Sequence, residues 1–139
     1  MIDLDNQTNM QIDLETLEEI ATFLTSKDIE LLIVNNQTIK EINHQYRLKN
    51  EPTDVLSFPF EQEFNYLPLG SIIISEDFVK DKAIEYNHSI DNELKLLFIH
   101  GLLHLLGYDH EKDLGEQREK EEELIKHFNL PSSLIVRSS

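Results

Sequence analysis

The chain has 139 residues, 40% of them apolar and 28% charged, which suits a folded domain with a sizeable core and excludes a disordered one. Its 27 Asp and Glu against 12 Lys and Arg leave a net charge of −15, which excludes recognition of nucleic acid through a broadly basic surface but not through a local basic spot. Cysteine is absent, so disulfides, thiolate metal sites and cysteine nucleophiles are excluded, and any metal must be held by His and carboxylates.

Residues 2–5 read as a short first strand. Leu14, Leu17, Ile20, Ala21 and Leu24 recur at helical spacing behind Asp13, a good N-cap, and predict a first helix. Leu31-Leu32-Ile33-Val34 is a short apolar run of the buried-strand type. Asn36 is then expected to cap a helix that buries Ile39, Ile42 and Tyr46. Val55 to Phe58 lies between Pro52 and Pro59, so it is a strand that must sit at a sheet edge. Ile72-Ile73-Ile74, entered from Gly70, is a fourth strand. Residues 76–87 predict a helix with Phe78, Val79, Ala83 and Tyr86 inward.

The next helix, about 91–106, differs from the others. Nine of the thirteen residues from Leu94 to Leu106 are apolar, so it has no solvent face and should run through the core until Gly107 ends it. A last helix covers roughly 115–127 and is polar until Leu124, Ile125 and Phe128; the run Glu116 to Glu123 reads mostly as a solvated face. Nothing repeats and no linker divides the chain, so one domain over 1–139 is expected. The predicted fold is α/β (α+β): a small mixed four-stranded sheet with about five helices, one of them central and buried. No stretch approaches the roughly 18 apolar residues of a membrane span, and the N-terminus lacks the basic and apolar regions of a signal peptide. A soluble cytoplasmic monomer is the default.

The central helix carries His100 and His104, and the chain turns at Gly107 to bring His110 after it. Residues four apart lie one turn apart on one helix face, so both imidazoles can reach one ion. Beyond the glycine a third imidazole can close a tripod. Three nitrogen ligands leave a fourth tetrahedral position open, the design of catalytic zinc, and zinc makes water a usable nucleophile near neutral pH. Single histidines on apolar helices are usually core or surface residues. With six histidines in the chain, however, the triple spacing arises by chance only about 1% of the time, and buried imidazoles need polar partners. The spacing is also that of the metzincin proteases, whose general base is a Glu directly after the first His. Here that position is Gly101, which cannot transfer a proton.

Arg47 precedes Leu48-Lys49-Asn50-Glu51-Pro52-Thr53-Asp54 at the end of a predicted helix, where a side chain commonly faces a cleft. Its guanidinium can grip a phosphate bidentately and stabilise charge on phosphorus, or it can simply complement a helix C-terminus; Lys49 adds a second positive charge. Asp109, beside the third histidine, reads either as a partner of a ligand imidazole or proton carrier, or as a turn former. His44, His88 and His127 have no spacing partners and read as surface or helix-end residues. Asp54 reads as a turn cap.

At these residues the sequence resembles the YbeY family of metal-dependent endoribonucleases, the ribosomal RNA maturation factors. His100-Gly101 through Leu103-His104-Leu105 to Gly107-Tyr108-Asp109-His110 carries one block of the match, and Tyr46-Arg47 through Pro52-Thr53-Asp54-Val55-Leu56-Ser57-Phe58-Pro59-Phe60 the other. The segments Leu69 to Ser75 and Glu93 to Leu97 fit in order, so the similarity spans about residues 31–125. The resemblance implies an α/β fold with one zinc ion on His100, His104 and His110 and with Arg47 beside it. It further implies cleavage of single-stranded RNA, roles in small-subunit ribosomal RNA 3′-end maturation and ribosome quality control, and the small ribosomal subunit and its assembly factors as partners. Two other readings are carried alongside: an assembly factor with a structural metal, and a metallopeptidase that recruits its base elsewhere. Two departures stand out. Many relatives have Gly-Asp where this chain has Gly70-Ser71, and many carry a methionine in the helix after the third His, which residues 115–123 lack. The packing below the site must therefore be built from other side chains.

Residues 111–123 hold seven acidic against three basic side chains, a net of −4 on one loop and helix. Acidity is thus expected on outer faces, with RNA contact local, weak without the ribosome and dependent on salt.

Overall fold

The direction each strand side chain faces organises the molecule. The computed structural model describes residues 1–62, 67–109 and 111–131. Its sheet is built from β1 (Ile2–Asn6), β2 (Ile29–Val34), β3 (Val55–Pro59) and β4 (Gly70–Ser75) in the order β1-β2-β4-β3. β1, β2 and β4 run parallel and β3 pairs antiparallel to β4. The proline-flanked strand is thus an edge, where a residue without an N–H is tolerated.

Leu31 and Ile33 point with Ile72, Ile74 and Val55 to one face of the sheet; Leu32 and Val34 point with Leu56, Ile73 and Phe58 to the other. The first face is covered by α1 (Leu14–Leu24), α3 (Glu76–Glu85), α4 (Ile90–Leu105) and α5 (Glu116–Phe128), through Leu17, Val79, Leu97 and Leu124 among others. The second is covered by α2 (Asn36–Arg47), through Ile39 and Ile42. The described residues therefore form the mixed four-stranded sheet and five helices expected from the sequence.

Capping chemistry sets the helix starts. The carboxylate of Asp13 accepts from Thr16 N–H at the start of α1. That bond, and then Lys95, hold its carboxyl below the usual aspartate range. For α2 the cap is Asn35, not Asn36; Asn35 accepts from Thr38 N–H, while Asn36 is the first helical residue and accepts from the Ser75 hydroxyl. Tyr46 and Tyr86, expected inward, are exposed, Tyr46 at 65%. Both stand at the C-terminal ends of their helices, where the backbone has passed the apolar surface it packs on.

α4 is the buried helix of the fold, with Leu97, Phe98 and Leu102 fully inaccessible. Each such side chain contributes about 1.5–3 kcal/mol by leaving water. It is not wholly apolar, however. Near its start Glu93 is fully buried and pairs with His88 Nε2 at 2.7 Å, and Lys95 reaches Asp91 at 2.5 Å and Asp13 at 3.2 Å. His88 is thus a half-buried pairing residue between α3 and α4, which fits the helix-end alternative and not the surface one. Burial lowers the Lys95 pKa, but the hydrogen bonds it donates to Asp91 and Asp13 outweigh it and hold the ammonium above the ordinary lysine value. Gly107, at φ 97, ends the helix: its N–H bonds His104 O and Tyr108 N–H bonds Leu103 O, a closure that requires a left-handed residue. No described helix is long and apolar enough to cross a membrane.

Candidate metal centre

Helical spacing puts His100 and His104 one turn apart at the C-terminal end of α4. Their Nε2 atoms converge to 3.1 Å, with ring centroids 4.7 Å apart and the planes at 70°. Two nitrogens that share a tetrahedral ion at about 2.0–2.1 Å stand about 3.3 Å apart, so the pair is at ligand spacing; the same distance also allows a hydrogen bond between the rings. On the far side of His100, Nδ1 lies 2.8 Å from Glu121 Oε2. A carboxylate accepts, so Nδ1 is the donor, and the neutral ring in that tautomer presents the Nε2 lone pair to the cleft. His100 is 14% exposed by side chain and Glu121 2%. In type and direction the two imidazoles fit a metal ion, and they supply two of the ligands one needs.

His110, the third predicted ligand, lies outside the described residues. Among the described residues no group of three His, Asp or Glu is placed to hold an ion; they supply the imidazole pair.

Sequence reasoning missed Glu121 and its neighbour Gln117. The run Glu116 to Glu123 reads mostly as a solvated face, yet Gln117 is fully buried and its amide donates to Glu121 Oε2 at 3.3 Å. Gln117, Glu121 and Leu124 form an inward stripe at i, i+4 and i+7, so the helical period was present in the sequence but written in polar residues. From this stripe Glu121 meets the His100 ring and Gln117 meets Glu121. The start of α5 is fixed by Asp113, whose carboxylate accepts from the backbone N–H groups of Gly115 and Gln117.

Asp109 is occupied in the turn after α4. Its side chain accepts from Glu111 N–H, and its carbonyl accepts from Lys112 and Asp113 N–H. The turn-forming alternative describes these contacts.

Gly101 faces the sheet. A Cβ built there would lie 3.0 Å from Ile72 Cγ2, 3.1 Å from Ser57 Oγ and 3.2 Å from Val55 Cγ2, and the Ser57 hydroxyl donates to Gly101 O at 2.9 Å. The position that carries the base in a metzincin is here a helix–sheet contact with no room for a carboxylate.

Arg47 lies exposed in the last turn of α2, and Lys49 is exposed just beyond it. No described hydrogen bond or ion pair engages either side chain. α2 and α4 cover opposite faces of the sheet, and the edge strand β3 stands between them. Ser57 touches Gly101 beside His100 on one face; Phe58 meets Tyr46, next to Arg47, on the other, with ring centroids 5.5 Å apart. A groove of about 450 Å³ opens on the α2 side between Tyr46, Phe58 and Phe60, with Glu30 and Ser71 in its lining. There the Ser71 hydroxyl donates to Glu30 Oε2 at 2.7 Å, so a carboxylate from β2 stands beside Ser71.

Comparison with known proteins gives the same frame. Residues 2–129 match the family model described as Endoribonuclease YbeY. A protein of that name from Aliarcobacter butzleri is 61% identical over 140 residues, covering 100% of both chains. Another, from Sulfurovum sp., is 57% identical over 143 residues, covering 99% of this chain and 97% of the relative. Among solved structures, that of TM1509 from Thermotoga maritima superposes with a TM-score of 0.62 at 30% identity, over 93% of this chain and 92% of the other. The chain belongs to the YbeY family of endoribonucleases.

Proposed function

We propose that this nuclease is a zinc-dependent, single-strand-specific endoribonuclease acting in 3′-end maturation of small-subunit ribosomal RNA and in ribosome quality control. It works in the cytoplasm, as a monomer, on the small ribosomal subunit and alongside assembly factors. His100, His104 and His110 hold one zinc ion per chain. The observation that carries the reading is the convergence of two imidazole nitrogens, one of them backed by a buried carboxylate.

Bound there, zinc supplies a Lewis acid for the phosphoryl group and a nucleophile from water near neutral pH. The chain's own residues do the rest. Glu121 holds His100 in the tautomer that leaves Nε2 a ligand. Asp109 shapes the turn that leads the chain from α4 towards His110. Arg47, planar and always charged, takes a phosphate of the RNA backbone bidentately and holds the strand across the edge of the sheet. A single strand crossing the edge strand β3 meets Arg47 and Lys49 on one side and the imidazoles on the other. Affinity is local, because the remaining surface is acidic.

The test is cleavage of a labelled single-stranded RNA by native, chelator-stripped and His104→Ala protein. Stripping and substitution should each lower the rate by more than about 100-fold, beyond the 10–100-fold typical of an outer-sphere change. Zinc should restore the stripped protein and not the variant. Unchanged cleavage by both would refute the reading.

A further inference from the structure

The buried polar pair on α5 is a costly choice for a helix face. Leu124 shows that an apolar side chain is accommodated in the same inward stripe one turn on, yet the two preceding positions bury an amide and a carboxylate. A carboxylate withdrawn from water costs several kcal/mol unless its oxygens find donors. Its described donors are the Gln117 amide and the His100 ring, both on Oε2. Local rules are broken in this way where function requires it.

We infer that Glu121, steadied by Gln117, is a positioning residue that sets how tightly α4 holds a metal ion; this rests on the metal reading proposed above. Glu121 meets Nδ1 of His100, whereas Nε2 is the atom that faces His104, so the carboxylate stands behind the ligand and outside the ligand set. It acts in two ways. By accepting from Nδ1 it fixes the ring's tautomer and orientation, so that the Nε2 lone pair points to the cleft before any ion arrives. By placing a carboxylate behind the ligand ring it adds electrostatic attraction for a cation on the Nε2 side. Gln117 holds Oε2 in place, and Asp113 holds Gln117 by fixing the first turn of α5. The loop after α4 and the helix that follows are thereby coupled to the ligand.

The test is the zinc affinity of the purified full chain, measured by competition with a chromophoric chelator, together with the visible spectrum of the cobalt-loaded protein. Glu121→Gln keeps the shape and an acceptor oxygen and should weaken zinc binding about 10-fold; Glu121→Ala should weaken it towards 100-fold. Gln117→Leu, which frees the carboxylate without touching His100, should produce a smaller loss in the same direction. Each variant's metal-free melting curve separates this from a structural role, which would lower stability and leave affinity alone. Folded Glu121→Gln that binds zinc within twofold of the native chain overturns the inference. If native protein and His104→Ala bind zinc equally weakly, the metal reading itself falls and this inference with it.

Discussion

The two ends of α4 bury polar groups in opposite ways. At the N-terminal end every described contact joins unlike partners: Lys95 with Asp13 and Asp91, His88 with Glu93. At the C-terminal end two like groups converge, with the nitrogens of His100 and His104 meeting at 3.1 Å and a carboxylate standing behind one of them. Where donor meets acceptor, the arrangement is complete within the chain. Two imidazole nitrogens at ligand spacing form an arrangement that a cation can complete. On the metal reading proposed above, one apolar helix carries a structural end and a metal-binding end, and the chemistry of the pairing tells them apart.

That contrast can be broken from the structural side first. Glu93→Ala removes a fully buried carboxylate and leaves His88 without its described partner. It should cost about 3 kcal/mol in urea unfolding of the metal-free protein, the range for losing one member of a buried pair. Zinc affinity should be retained. A smaller effect is expected midway along α4. Gly101→Ala adds a methyl that meets Ile72, Ser57 and Val55 at 3.0–3.2 Å, and should cost about 1–2 kcal/mol by overpacking, with cleavage falling less than stability. The smallest lies at the partner of Lys95. Asp13→Ala loses the α1 cap and should cost about 1 kcal/mol at pH 7. Because the folded pKa of Asp13 is depressed, its contribution is full above the unfolded value near pH 4 and is lost as pH falls through the lower folded value. The native and Asp13→Ala denaturation midpoints should therefore converge as pH falls below the ordinary aspartate range.

The fold was legible because most of its signals are apolar. The run Leu31 to Val34, the three isoleucines of β4 and the unbroken apolar face of α4 each state their burial directly. The imidazole pair was legible for a different reason: i, i+4 spacing fixes neighbours on a helix whatever packs around it. What escaped was polar burial. Nothing local in Gln117, Glu121 or His88 reveals that another segment covers it, since the partners His100 and Glu93 come from a different element or from the next helix. Tyr46 shows the converse failure: its periodicity is right, but the helix has run past its apolar support. Arg47 was placed by motif, and its position on the α2 side of β3 could be read only from the sheet order.

The most direct test is a zinc titration, by chelator competition, of the native chain, Glu93→Ala and His104→Ala under one set of conditions. The two-ended account of α4 predicts that Glu93→Ala stays within about threefold of native affinity while His104→Ala loses more than about 100-fold. Equal losses in both variants, or no loss in His104→Ala, would contradict it.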